Sequence, residues 1–394
     1  MTSDPKLEFG RVFAKLSGET PKNIRTLPAA VLNRKERLIP ESGAPIIPIQ
    51  CRILQGQARS RPEENCKESM AGNISSNEYG EARNPFMCIV GCTRSGTTLL
   101  QRMLNNHPQL AVVNDSHFAI QVVRRSKKII DPLLTPELVE KVRSYPRFPR
   151  LGLSDEVVAQ AASASRTYSE FVSALYSDHG RLNGKQLAGE KSPGFVRHLP
   201  RLHGLFPWMK TIHIIRDGRD VALSMLEWTR KGKGPAASFE LWTEEPIAVC
   251  ALWWLKKVKA GLLDGRSLSP TKYCEVGYEE LVATPEQVLR QLSDFMRLPY
   301  AREMLDYHVG KTRNEPELST KQRWLPVTPG LRDWRTRMNE RDLELFEALA
   351  GDLLSDLGYE RAFASISTQM TAVADYCKSR GLARRVTPLA DAES

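Results

Sequence analysis

Phe86-Met-Cys-Ile-Val-Gly91-Cys-Thr-Arg94-Ser-Gly96-Thr97-Thr98-Leu-Leu100 is the stretch that decides the fold. The apolar run Phe86–Val90 reads as a buried strand, and Leu99, Leu100, Met103 and Leu104 belong to a helix that follows it. Between them Gly91 and Gly96 keep the spacing of the phosphate-binding loop G-x-x-x-x-G-K-[ST], in which loop amides and a helix N-terminus surround an anion. The lysine of that pattern is missing. Thr97 stands in its place, and the cation has moved into the loop as Arg94. A nucleoside triphosphate uses that lysine, with magnesium, on its outer phosphates. The loop therefore points to a phosphate-ester donor without a γ-phosphate, and to no metal. Two glycines alone would build an ordinary strand-to-helix turn; the basic residue, the Ser-Gly-Thr-Thr run and the two flanks together make it a binding element.

Lys210-Thr-Ile-His-Ile-Ile215-Arg216-Asp217-Gly218-Arg219-Asp220-Val221-Ala222-Leu-Ser224-Met225-Leu226 is a second strand-then-helix unit. Thr211–Ile215 is the strand, and Val221, Ala222, Met225 and Leu226 give the helix one apolar face. Arg216 thus stands at a strand's C-terminal end, the edge where open parallel sheets bind ligands, with Ser224 two helical turns further on. An NTPase often places a magnesium-binding acid directly after such a strand. Arginine comes first here, which asks for a second phosphate.

Together these residues resemble the sulfotransferases that use 3′-phosphoadenosine 5′-phosphosulfate (PAPS). On that resemblance Cys92, Thr93, Arg94, Ser95, Gly96, Thr97 and Thr98 form the 5′-phosphosulfate loop, and Arg216 and Ser224 form the 3′-phosphate pair. Arg94 in place of lysine, Asn105-Asn106-His107-Pro108 and Glu190-Lys191-Ser192-Pro193 are most similar to the bacterial and tyrosylprotein-type branch. The resemblance spans roughly residues 85–358. It implies transfer of a sulfuryl group from PAPS to a hydroxyl, less readily an amine, with release of adenosine 3′,5′-bisphosphate. Lys191 follows the strand Gln186–Glu190 and would be a donor-side cation beside Arg94; Tyr278, in Tyr278-Glu279-Glu280-Leu281, would help position the nucleotide or serve as a structural corner.

The base falls in Val112-Val113-Asn114-Asp115-Ser116-His117-Phe118. The resembling branch commonly has glutamate where Asp115 stands, so this chain departs from the pattern by one methylene. His117 is the alternative, because imidazole is the usual proton carrier near neutral pH and cytosolic sulfotransferases use a histidine base. Either side chain could instead cap a helix starting at Ser116. The acceptor stays open among a small molecule, a glycan, a lipid and a protein, and the oligomeric state is not legible. A P-loop kinase or NTPase, or a nucleotide-binding protein without catalysis, are the competing readings.

Of 394 residues 41% are apolar, enough for a substantial core, and no window approaches eighteen uncharged apolar residues. The N-terminus lacks the basic-then-apolar order of a signal peptide; the expectation is a cytoplasmic protein with no membrane span. The balance of 56 basic and 46 acidic residues gives +10, but the cations are dispersed and carry no nucleic-acid motif. An anionic donor explains a positive cleft more simply. Seven cysteines, Cys51, Cys66, Cys88, Cys92, Cys250, Cys274 and Cys377, show no C-x-x-C pair and no zinc spacing. For Cys92 the plain expectation is a small residue in a crowded turn.

The chain divides into an extension at 1–84, part extended and part polar linker, a P-loop domain at 85–360, and a helical or disordered tail at 361–394. Strands near 86–90, 110–113, 186–190, 211–215 and 273–277 alternate with helices, which predicts an α/β fold: a three-layer parallel sheet covered on both faces. The excursions at about 130–182 and 228–270 read as helical. Trp228, Trp242, Trp253 and Trp254 are candidate walls of an acceptor pocket, although core packing is the commoner use of tryptophan. Lys311, Arg313, Lys321, Arg323, Arg332, Arg335 and Arg337 form a basic stretch that would suit a lid over the nucleotide or a solvated loop, and Asp342–Leu357 is a packing helix.

Overall fold

The computed structural model describes residues 83–124, 131–230, 234, 236–309 and 333–384. The extension before residue 83, the stretch 310–332 with Lys311, Arg313, Lys321, Arg323 and Arg332, and residues 385–394 lie outside the described residues.

Five strands, β1 (Met87–Gly91), β2 (Leu110–Asn114), β3 (Leu187–Lys191), β4 (Lys210–Ile215) and β5 (Tyr273–Gly277), form one parallel sheet in the order β2-β3-β1-β4-β5. Successive side chains of a strand leave opposite faces, and both faces of β1 are buried. Met87 and Ile89 join a core with Leu100, Met103, Leu104 and Val288, whereas Cys88 and Val90 join another with Phe118, Phe171, Tyr176 and Phe195. That double burial is why β1 reads as one continuous apolar run. The long excursion before β3 resolves into helices Pro136–Arg143, Asp155–Ser163 and Tyr168–Leu182, each started by a hydroxyl cap: Thr135, Ser154 and Thr167. Each such cap typically contributes about 1 kcal/mol.

A third core lies past the C-terminal end of β4. There Trp254 of the helix Pro246–Arg266 and Phe346 of the helix Glu340–Asp356 pack on Ile215 and Val221. Met370, Ala374 and Cys377, on the helix Thr368–Arg380, are buried in the same core, and the Glu347 carboxylate accepts the amides of Ala362 and Phe363. Packing therefore runs on past residue 360. The tail's few apolar positions cover a core that only the folded chain assembles. Trp254 is fully buried and donates its indole N–H to the Arg216 carbonyl at 3.1 Å, so it is a core residue and no pocket wall.

Because all strands run one way, their C-terminal ends meet at one edge: Gly91 lies opposite Ile214, and Asn114 opposite Lys191. From β1 the chain moves first to β2 and β3 on one side and later to β4 and β5 on the other. That reversal opens a crevice at the end of β1, the place where such sheets take ligands.

Candidate active site at the strand ends

The loop after β1 is shaped by two glycines. A Cβ on Gly91 would come 2.5 Å from the Ile214 carbonyl oxygen, so only glycine lets β1 leave the sheet so close to β4. Gly96 has φ 89°, and a Cβ there would strike the Tyr278 ring at 2.3 Å. Arg94, two residues earlier, is also left-handed at φ 80°. Successive amides in such a turn point into a concavity that suits an anion, at the start of the helix Thr97–Asn105.

The Tyr278 ring thus lies against the loop, and the Arg216 guanidinium stacks 4.1 Å above its centre. Arg216 also pairs with Asp220 at 3.0 Å. Arg94 Nε donates to Ser224 Oγ at 2.8 Å, which joins the two expected halves of the donor site. A hydroxyl that accepts from arginine still has its own proton to donate. Arg94 lies 5.5 Å from the centre of the Trp228 ring, which places that tryptophan beside the loop. Among the described residues, Ser95 Oγ and Arg216 Nε are buried without a hydrogen-bond partner. Buried polar groups are normally satisfied; one on the loop and one after β4 fit a ligand with anionic groups at both ends, as PAPS has.

Cys92 packs as a small residue of the crowded turn. Its side chain is fully buried in the third core beside Ile215, and burial pushes its thiol up to about 12. Only its backbone amide is left to serve a donor. Thr93 and Thr98 are half-buried, and Thr97 is buried behind the loop. Of the basic residues after 310, Arg335 pairs with Glu360 at 3.2 Å and stacks on Trp334, so its charge is spent on the surface.

The second part of the site sits at the ends of β2 and β3. Lys191 Nζ is 2.7 Å from Asp115 Oδ2, and His117 Nε2 is 3.2 Å from Asp115 Oδ1. The Asp115 amide donates to the Lys191 carbonyl at 2.8 Å, and Arg150 holds the carbonyls of Asn114 and Asp115 at 2.7 and 3.2 Å. Burial alone would raise the Asp115 pKa, but the His117 hydrogen bond and the Lys191 charge outweigh it and hold the carboxyl well below the usual range. Burial pushes the Lys191 ammonium down against the pull of Asp115.

Neither Asp115 nor His117 caps a helix. The helix Phe118–Gln121 starts after His117 without a side-chain cap, and the His117 amide is taken by Glu190 Oε1 at 2.9 Å. Glu190 stands beside Lys191 in the sequence, but no local motif gives it a part. The available signal was a carboxylate inside an otherwise apolar buried strand, which costs too much to be incidental.

A family model described as the sulfotransferase family matches residues 85–302. The chain belongs to that family. Protein-tyrosine sulfotransferase A of Caenorhabditis elegans is 24% identical over 310 residues, covering 77% of this chain and 75% of that protein. Human protein-tyrosine sulfotransferase 1 is 26% identical over 283 residues, covering 70% of each. Among solved structures, the sulfotransferase domain of the Synechococcus PCC 7002 olefin synthase aligns at TM-score 0.46 and 21% identity, over 74% of this chain and 93% of that one. The protein is an enzyme of sulfuryl transfer to a hydroxyl acceptor, and membership of the family implies PAPS as donor. The kinase reading finds no support. Among the described residues no three His, Cys, Asp or Glu side chains are grouped to hold a metal ion, and no helix is long and apolar enough to cross a membrane.

Proposed function

We propose that this sulfotransferase acts on the phenolic hydroxyl of tyrosine in a peptide or protein, with Asp115 as the base. The observation that carries the chemistry is the Asp115 carboxylate held 2.7 Å from Lys191 at the strand edge shared with the Arg94 loop. The relatives named for protein tyrosine support the acceptor.

When bound, PAPS supplies a sulfuryl group on a phosphate leaving group. The loop amides and Ser95 would hold its 5′ end, and Arg216 and Ser224 would hold the 3′-phosphate. Arg94 and Lys191 would offset the negative charge of the phosphate that departs from the sulfuryl group. Asp115 takes the proton from the acceptor oxygen as that oxygen forms its bond to sulfur. Lys191 has a double use in this arrangement. While it pairs with Asp115 the carboxylate is a weak base; drawn toward an anionic donor, it leaves Asp115 more basic at the moment the donor is in place.

The test is a transfer assay with labelled PAPS against three otherwise identical peptides carrying tyrosine, phenylalanine or serine. Mass spectrometry is expected to find sulfate on the tyrosine peptide alone. Sulfation of the serine peptide with none on tyrosine overturns the acceptor reading.

A further inference from the structure

We infer that Glu190 is the positioning residue of this site: its buried carboxylate ties the loop that carries Asp115 and His117 to the strand end that carries Lys191. The inference rests on the reading of Asp115 as base. Glu190 is 2% exposed and lies on β3, opposite Val113 of β2. Its Oε1 accepts the His117 amide at 2.9 Å and the Ser192 hydroxyl; its Oε2 accepts the hydroxyls of Ser116 and Tyr176. No lysine or arginine bonds to it among the described residues. A buried carboxylate is tolerated only when its oxygens are satisfied, and here the donors come from both sides of the reacting groups.

The base loop needs such an anchor. Asp115 has φ 57° and His117 φ 62°, so two non-glycine residues in the left-handed region flank Ser116. Backbone of that kind persists only where its surroundings over-determine it. Glu190 takes the hydroxyl of the residue between them and the amide of the second. On the other side it holds Ser192, the residue after Lys191. One carboxylate thus fixes both partners of the 2.7 Å Asp115–Lys191 pair, while Tyr176, on the helix Tyr168–Leu182, buttresses it from behind. A leucine of similar size would fill the space but direct none of these donors. The charge of Glu190 also adds to that of Asp115 in favouring protonated Lys191, against Arg150.

The experiment compares Glu190→Gln and Ser116→Ala with the wild type and Asp115→Asn. It measures kcat per site titrated with adenosine 3′,5′-bisphosphate, the affinity for that ligand, and the pH-rate profile. Glu190→Gln is expected to lower kcat by roughly 10- to 100-fold, the scale of a small misplacement of reacting groups, with bisphosphate affinity nearly unchanged. Its alkaline limb should move to lower pH, since Lys191 loses a neighbouring negative charge. Ser116→Ala keeps that charge and should lower kcat less, with the alkaline limb in place. If Glu190→Gln folds poorly, Ser116→Ala decides. Wild-type kcat and limb in Glu190→Gln, or wild-type kcat in Ser116→Ala, beside an inactive Asp115→Asn, overturn the inference and leave the base reading standing. An active Asp115→Asn removes the base reading itself, and the inference with it.

Discussion

Asp115 is one methylene shorter than the glutamate usual in the resembling branch, and its left-handed backbone and its bond to Lys191 show how the shorter side chain is used. The loop is turned so that the carboxylate reaches Lys191 with one oxygen and His117 with the other. We expect Asp115→Asn to keep donor affinity and to lower kcat by roughly 10²–10⁴, the scale for loss of a positioned general base. His117→Ala should cost less, because the imidazole touches the carboxylate as a partner. Normal turnover in Asp115→Asn, with an inactive His117→Ala that still binds donor, transfers the proton to the histidine. Both candidates were legible as residues. That they share one hydrogen bond was not, because a residue at φ near 60° turns its side chain to a place that helix or strand periodicity does not foresee.

At the scale of elements, the unit from β4 to the helix Gly218–Arg230 separates two arginines that look alike in the sequence. Arg219 is 1% exposed and fully engaged: Asp217 holds it with both oxygens, Glu347 pairs at 2.7 Å, and its guanidinium stacks 3.6 Å over Trp334. It fastens the C-terminal helices to the sheet. Among the described residues Arg216 has one ion-pair partner, Asp220, and a buried Nε without a hydrogen-bond partner. Asp220 positions it, since its other oxygen accepts the Trp334 amide at 3.0 Å. Arg216→Ala and Ser224→Ala should therefore each weaken adenosine 3′,5′-bisphosphate by roughly 1.5–3 kcal/mol, the value of a hydrogen bond to a charged group, with much less effect on adenosine 5′-phosphate. Calorimetry with both ligands tests this, and equal losses refute the 3′-phosphate assignment.

The whole molecule carries an acid sensitivity away from the site. Burial pushes His198, His203 and His213 down to about 4. His213, on β4, is fully buried with Nδ1 2.7 Å from the Tyr273 hydroxyl, and His203 Nε2 is 2.9 Å from Thr211 Oγ1. The unfolded chain binds these protons more tightly than the folded one. Their stabilising effect is thus complete above about pH 6.5 and is lost as pH falls toward 4. A fully buried histidine such as His213 should cost up to about 1.4 kcal/mol per pH unit in that window. The urea midpoint is expected to fall between pH 6.5 and 4.5; a midpoint flat over that range shows that the histidines accept protons in the folded state.

By itself the sequence determined the five strands, the phosphate loop and the cationic strand end after β4, because each rests on chemistry within some fifteen neighbouring residues: glycine spacing, short apolar runs, a helix N-terminus. Tertiary structure decided what depends on strand order. Placing β2 beside β3 brings Lys191 to Asp115 across 76 positions and gathers donors from residues 116, 117, 176 and 192 on Glu190. It also turned Cys92 and Trp254 into core and drew residues 361–384 into the packed unit. Burial and hydrogen bonding at those places are set by neighbours distant in the chain, and no local pattern names a distant neighbour.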